Sequence, residues 1–332
     1  MAQKRFVFAR EDRPDAAWLA RFVAGRDEAE GWYLKDNRAG PPTVAECRAA
    51  LHCHMPELIP HYDRACALVG DDELARCILS HYRVPETIAA CSQAVWLGGG
   101  GPALVRNYDF PLDTVSGRFE ATAWSARRVI AAAQRPWGGC LDGMNEDGLA
   151  ASLTFGGSRA RGLGFAVILL VRYVLETCRR VDEAVAALVR IPIAMAHNVT
   201  VLDRSGAYAT LYLRPDRAAA VTAEPACTNH QERIVWPEHA AMSQTVERQE
   251  SLRRHLAEPG MSLDELTERF LAPPLYSRRA AFPTAYTAVY RPAEGRVDYL
   301  WPGKCWCQSF DRFESGEHVH DYGELAPSSA VS

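Results

Sequence analysis

Cys91 is the residue on which chemistry could centre. The string Cys91-Ser92-Gln93-Ala94-Val95-Trp96-Leu97 reads as a buried strand that opens at the thiol, and the run Gly98 to Gly101 turns the chain into a second strand ending Arg106-Asn107-Tyr108-Asp109-Phe110. A thiol at a strand start, answered by Arg and Asp from the next strand, suits a self-processing enzyme that cleaves amides. A thiol attacks as thiolate and needs a base or a positive neighbour to become one. If the bond between Ala90 and Cys91 is cut, Cys91 gains an α-amino group of pKa about 7.7–8.0, close enough to working pH to act as base for its own side chain. The cut is itself expected to be autocatalytic: the thiol attacks the Ala90 carbonyl, the acyl group moves to sulfur, and water releases residues 1–90. Asp109 suits the task of orienting the amine and Arg106 that of favouring thiolate. Residues three apart on a strand lie on opposite faces, however. Spacing alone does not bring both to Cys91, and an ordinary strand-end ion pair accounts for them equally well.

The elements that must position these groups fall into two textures. Residues 1–90 read as helical, with Ala16 to Val23, a longer helix opening at the N-cap Thr43 and interrupted by Pro56 and Pro60, and Asp71 to His81. No strand alternation is evident there, and Pro85 marks an extended linker to Cys91. From Cys91 the chain alternates between turn signals. It predicts strands at Cys91–Leu97, Ala103–Asp109, Phe119–Trp124, Arg128–Ala133 and Gly148–Phe155, then helices at Phe165–Arg180 and Asp182–Arg190. Strands return at Val199–Leu202, Ala207–Leu213 and Ala219–Thr222, helices at Glu238–Leu256 and Ser262–Leu271, and a last hairpin at Ala285–Tyr290 and Val297–Trp301. Blocks of strands alternating with blocks of helices predict an α+β fold with helices covering sheets. The chain divides as a leader (1–90), a catalytic domain (91–322) and a frayed tail (323–332).

The 332 residues, 48% hydrophobic and 23% charged, fit a soluble globular protein with a sizeable core. A net charge of −4 gives no reason to invoke nucleic acid or an anionic membrane. The start Met1-Ala2-Gln3-Lys4-Arg5 leads into no signal-like apolar run, and Phe165 to Val171 is too short to span a bilayer. Ten cysteines without framework spacing read as reduced thiols of a cytoplasmic protein.

Four strings in order resemble one family. Cys91 with Arg106-Asn107-Tyr108-Asp109-Phe110 is similar to the choloylglycine hydrolases and to the acyl-coenzyme A:6-aminopenicillanic acid acyltransferase group (peptidase family C45), both N-terminal nucleophile hydrolases. Leu141-Asp142-Gly143-Met144-Asn145-Glu146-Asp147-Gly148-Leu149-Ala150 resembles the family's GMNE-x-GLA segment, and Thr228-Asn229-His230 its TNH. Tyr276-Ser277-Arg278, before the strand at 285, sits where the family has a late Arg. The long leader looks like the acyltransferase branch. The resemblance implies a four-layer αββα sandwich, with Cys91 as nucleophile and its own amine as base. It also implies that Arg106 and Asp109 hold the Cys91 head group, Asn229 donates to the oxyanion, and Arg278 fixes the charge balance, with Arg279 as the alternative in register. Thr154 stands where the choloylglycine branch has Asn, so it and Asn145 are the weaker oxyanion or substrate-binding candidates. Asn145 and Glu146 otherwise shape a turn, and His230 is a structural hydrogen-bonder.

Two rival sites remain. Cys305-Trp306-Cys307 with His318-Val319-His320 has four zinc-capable ligands, though an alternating pair on a strand shares one buried face, which explains both thiols without metal. His52-Cys53-His54 with His61 is the other metal candidate, and alternate helix residues do not share a face. Glycines 156, 157, 162 and 164, with Arg159 and Arg161, could cradle an anion or form a plain solvated loop. The expected activity is hydrolysis of a small N-acyl amide through a thioester, with transfer from an acyl-CoA thioester to an amine as the alternative. A zinc-dependent enzyme, a catalytically silent binding protein and a scaffold whose leader docks a partner are further readings. No cofactor is expected. The expected partners are the small acyl amide or thioester, the leader if it stays bound after cutting, and a second copy of the chain; nucleic acid and membrane are not.

Overall fold

A computed structural model describes residues 2–37, 40–125, 127–134 and 138–327. The first ninety residues are mostly helical: α1 (Ala16–Ala24), α2 (Arg26–Asn37), α3 (Val44–His54), a short 3-10 turn (Pro56–Leu58), α4 (Ile59–Val69) and α5 (Glu73–Leu79). Thr43 caps α3 through a reciprocal capping box with Glu46. The expectation of no strand in this part is overturned by β1 (Gln3–Glu11), which pairs parallel to β4 (Arg118–Thr122) and antiparallel to β15 (Gly316–Asp321). Phe6 and Phe8 of β1 are buried and stack into an aromatic cluster with Phe119, Tyr299, Trp301 and Trp306.

From Ala90 onward come β2 (Ala90–Trp96), β3 (Ala103–Asp109), β5 (Val129–Gln134), β6 (Gly139–Asn145) and β7 (Leu149–Phe155). Helices α6 (Val167–Thr177) and α7 (Val181–Arg190) follow, then β8 (His197–Asp203), β9 (Tyr208–Leu213), β10 (Ala220–Thr222) and β11 (Ala226–Cys227). After α8 (Pro237–Ser243), α9 (Thr245–Ala257) and α10 (Leu263–Phe270), the chain ends in β12 (Thr284–Arg291), β13 (Arg296–Trp301), β14 (Lys304–Ser309) and β15. One sheet has nine strands, in the order β10-β9-β8-β7-β6-β5-β4-β1-β15, and the other six, β11-β2-β3-β12-β13-β14. Strands β2, β3, β6, β7 and β8 are buried along their whole length, so both their faces need cover. Strands β2 and β3 pack on β7, α6 and α7 cover the nine-stranded sheet, and α9 and α10 cover the six-stranded one. The result is the α+β four-layer sandwich of helix, sheet, sheet and helix.

Three differences from the sequence reading have local causes. Strand β6 was not foreseen because its seven residues include two glycines and no β-branched residue; a Cβ on Gly143 would lie 2.7 Å from Leu175 Cδ1 of α6, so the close helix approach requires the glycine. The single helix expected over 238–256 is two, broken at Gln244, which takes left-handed backbone angles (φ 50°). The tail stays ordered past Tyr322 at least to residue 327: Ala326 exchanges backbone hydrogen bonds with Arg278 and Ala280. Residues 328–332 lie outside the described residues.

Candidate active site

Strands β2 and β3 set the geometry. Their antiparallel register places Cys91 opposite Tyr108 and Gln93 opposite Arg106, so these side chains share the face toward the nine-stranded sheet. Ser92, Asn107 and Asp109 point the other way, toward α9 and α10, as strand alternation requires. Arg106 and Asp109 therefore do lie on opposite faces: Arg106 meets the Cys91 sulfur, whereas the Asp109 carboxylate, expected to hold the Cys91 head group, bonds Arg248 and Thr284 and is linked to the Cys91 nitrogen through Arg248 and Asn229.

On the sulfur side, Arg106 Nη2 lies 3.3 Å from Cys91 Sγ. Its Nη1 donates to Asp142 Oδ2 at 2.6 Å and to the Leu141 carbonyl at 3.1 Å. Asp142, on β6, also accepts from the Tyr286 hydroxyl at 2.6 Å and from that of Tyr290. Burial opposes the charge on Arg106, but Asp142 and Tyr286 outweigh it and the net shift is upward. The Cys91 thiol is completely buried and burial pushes its pKa up, with Arg106 pulling the other way. It is a neutral thiol beside a fixed cation.

On the nitrogen side, the Cys91 backbone N–H donates to Asn229 Oδ1 at 2.7 Å, and Arg248 Nη2 donates to the same oxygen at 2.6 Å. Both neighbours can only donate, which fixes the amide orientation. Asn229 Nδ2 then faces the Phe155 carbonyl at a long 3.4 Å. Arg248 Nη1 also donates to Ser92 Oγ and Asp109 Oδ2, both at 3.1 Å. The other oxygen of Asp109 accepts from Thr284 at 2.7 Å. Burial raises the Asp109 pKa to about 6, against the pull of Arg248 and Thr284. The break at Gln244 aims the first turn of α9 at this corner: Thr245 Oγ accepts from the Asn229 backbone N–H at 2.7 Å, and Arg248 follows one turn later. Gly157 (φ +66°) closes the back, where a Cβ would stand 2.4 Å from the Asn229 carbonyl oxygen.

The structure thus brings Cys91, Arg106, Asp109 and Asn229 together. It does not bring Arg278, whose exposed guanidinium donates to the carbonyls of Tyr322 and Glu324. Arg279 is the one of the pair whose charge acts on Asp109. The Thr154 hydroxyl donates to the Thr228 carbonyl at 2.6 Å, and Asn198 Nδ2 joins it there at 3.0 Å, so Thr154 braces the Asn229 loop and has no proton left for an oxyanion. Asn145 is consumed structurally as well: Nδ2 donates to the carbonyls of Leu175 and Cys178, and Oδ1 accepts from Leu149. His230 bonds Thr245, the structural part expected of it. Sequence reasoning missed Arg248 and Asp142. Arg248 lies in the charged run Glu247-Arg248-Gln249-Glu250, where nothing marks it. Asp142 lies within the Leu141–Ala150 segment, where its signal is an acid amid otherwise uncharged strand residues.

Cys305 and Cys307 are exposed on β14, an edge of the six-stranded sheet, which overturns the expectation of a shared buried face. His318 and His320 belong to β15, an edge of the other sheet. Among the described residues no three His, Cys, Asp or Glu side chains are arranged to hold a metal. In the glycine-rich loop Arg161 pairs with Asp36 and donates to the Val84 carbonyl, while Arg159 lies over the Trp236 ring, 4.1 Å from its centroid. A mostly apolar cavity of about 280 Å³ lies beside the site. One wall is the linker Val84–Ala89 with Trp32 of α2; the other includes Tyr108, Leu153, Phe155 and Phe165.

A profile of the acyl-coenzyme A:6-aminopenicillanic acid acyl-transferase family matches residues 96–306, more than half of the chain. The match takes in Arg106, Asp109, Asn229 and Arg248 and begins after Cys91. No curated protein matches the sequence. Two mutant forms of conjugated bile acid hydrolase from Clostridium perfringens share the fold. One has TM-score 0.50 at 13% identity and the other 0.52 at 11%, each covering 73% of this chain and 100% of that one. An N-acylethanolamine-hydrolyzing acid amidase ortholog from Caenorhabditis elegans aligns at TM-score 0.49 and 15% identity, over 70% of this chain and 100% of that one.

Proposed function

Because the chain belongs to the acyl-coenzyme A:6-aminopenicillanic acid acyl-transferase family, an N-terminal nucleophile hydrolase group by resemblance and by fold, we propose that it is a self-processing cysteine amidohydrolase acting on a small N-acyl amide. The observation that carries this reading is the division of labour at Cys91: Arg106 at the sulfur and Asn229 at the backbone nitrogen. In the first step Sγ bonds to the Ala90 carbonyl carbon, the C–N bond to Cys91 breaks, and the thiol proton passes to the departing nitrogen. Water then hydrolyses the thioester, leaving a carboxylate on Ala90 and a free amine and thiol on Cys91. Thereafter the amine takes the thiol proton, the thiolate attacks the substrate carbonyl, and the amine returns the proton to the leaving nitrogen. Asn229 Oδ1, already an acceptor from that nitrogen, orients the amine. Its Nδ2, held among the described residues by one long bond to the Phe155 carbonyl, is the donor for the oxyanion. Arg248 links this amide to Asp109 and is a positioning residue.

Water and an amine are interchangeable as final acceptor, and the family's name favours keeping transfer from an acyl-CoA thioester as the second reading. The leader is proposed to stay bound after cutting, since β1 lies between β4 and β15. A cytoplasmic setting is supported by ten cysteines that are all free; among the described residues no helix is long and apolar enough to cross a membrane. Intact-mass spectrometry tests the central claim. The wild-type protein should yield two fragments meeting at Ala90 and Cys91, and Cys91→Ala one uncut, folded and inactive chain. An active wild-type sample with an unbroken chain overturns the reading.

A further inference from the structure

His197 opens β8 opposite Phe155 of β7, and both line the apolar cavity beside Cys91. The residue is 8% exposed. Its Nδ1 lies 3.4 Å from the Met195 carbonyl, which can only accept, so Nδ1 carries the proton and Nε2 is an acceptor. No hydrogen bond from a described residue reaches Nε2. Burial lowers the pKa of the ring to about 4, so Nε2 keeps its lone pair free at neutral pH. Two other polar side chains of the lining are spent on backbone groups. Thr114 donates to the Pro111 carbonyl, and Gln134 donates to the Thr114 carbonyl and accepts from the Ser116 N–H. Strand alternation also fixes where the imidazole stands. Ser152 and Thr154 look toward the six-stranded sheet, because Thr200, the partner of Ser152, accepts from Gln93 of β2. Leu153, Phe155 and His197 therefore share the opposite face, which α6 covers. Tyr108, across from Cys91 in register, approaches from the β2–β3 side. The cavity thus runs from Ala89 and Tyr108 round the end of the sheet to His197.

We infer that His197 Nε2 accepts a hydrogen bond from a hydroxyl at the far end of the substrate's acyl group. The inference rests on the amidase reading of Cys91 given above. With the reacting carbonyl at the sulfur, the acyl chain lies along the cavity and brings its last atoms to the imidazole. The substrate class this selects is the amide of a hydroxy acid, with an apolar chain and a hydroxyl remote from the carbonyl. A methyl group at that point leaves the buried acceptor unpaired. A carboxylate would meet a lone pair where it needs a donor. A hydroxyl finds its partner there, whereas any other part of an apolar wall would leave its proton unbound.

A series of p-nitroanilides tests this on the cleaved protein. The acyl chains run from butanoyl to decanoyl, each ending in a methyl, a hydroxyl or a methoxy group. At one chain length the wild type should prefer the hydroxyl to the methyl in kcat/KM, mainly through KM. The methoxy ether, which has no proton to give, should gain no such preference. His197→Phe keeps an aromatic ring without an acceptor and should lower the hydroxyl-to-methyl ratio about tenfold, as loss of one hydrogen bond would. His197→Gln keeps an acceptor oxygen and should retain part of the ratio. A hydroxyl preference unchanged in both variants, or shared by the ether, overturns the proposal and leaves His197 a packing residue. A wild type that turns over the series without preferring the hydroxyl at any length overturns it while the amidase reading stands. A cleaved protein that turns over no member overturns it too, and absence of both chain cleavage and anilide turnover brings down the two together.

Discussion

On the face of β3 that looks toward the nine-stranded sheet, Arg106 is clamped by Asp142, which is itself held by two tyrosine hydroxyls. On the opposite face, Asp109, Arg248 and Asn229 form a chain that ends at the Cys91 nitrogen, and Asp109 titrates at about pH 6. The first arrangement is a fixed charge that the sulfur meets before and after any cut. The second contacts the atom that the proposed cut would turn from amide to amine, and contains Asp109, whose pKa is raised to about 6. Were one nucleophile to do both reactions proposed above, its static and its adjustable parts would sit on separate faces of a single strand.

Substitutions can break either face. The largest effect is expected on the sulfur side: Asp142→Ala strands the buried Arg106 charge and should cost about 3–5 kcal/mol of stability. Urea unfolding in the Cys91→Ala background, where cleavage cannot intervene, measures it. On the nitrogen side Asn229→Ala should leave the fold intact and lower turnover about 10²–10³-fold. Unchanged steady-state kinetics in that variant would mean that Asn229 only shapes the loop. The smallest effect is the pH response. Burial lifts Asp109 above the usual carboxylate range, so the anion exists only above about pH 6. Acidification through that value removes it, and the self-cleavage rate should fall about tenfold per unit below. Asp109→Asn should be slow throughout and lack this limb, which a series of time courses at different pH would show.

Much of this site was readable before the fold, because the residues gathered around Cys91 lie mostly in strings with local texture. The thiol opens a buried strand, Arg106 and Asp109 end the next one, and Asn229 sits in a short polar turn. What escaped notice depends on contacts between distant segments. Arg248 reaches Asn229 and Asp109 because the backbone reversal at Gln244 aims its helix, and neither event leaves a periodic mark. Arg278 and Arg279 are adjacent, and only the path of the chain past Ala326 decides which guanidinium is spent on carbonyls. Asn145 lies inside a motif and Thr154 just beyond it, both polar and buried, yet the hydrogens they donate close on backbone carbonyls. Strand β1 was missed because its two phenylalanines are flanked by charges, and its partners come from β4 and β15, remote in sequence.

That strand has a consequence for a protein cut after Ala90. Two polypeptides would then share one sheet, with Phe6 and Phe8 of the shorter one filling the interior of the longer. Unfolding would separate them, and recovery would become a second-order encounter. The melting midpoint should therefore rise with protein concentration after cutting and stay constant before it, so a single irreversible bond cleavage changes how the molecule must be rebuilt once lost.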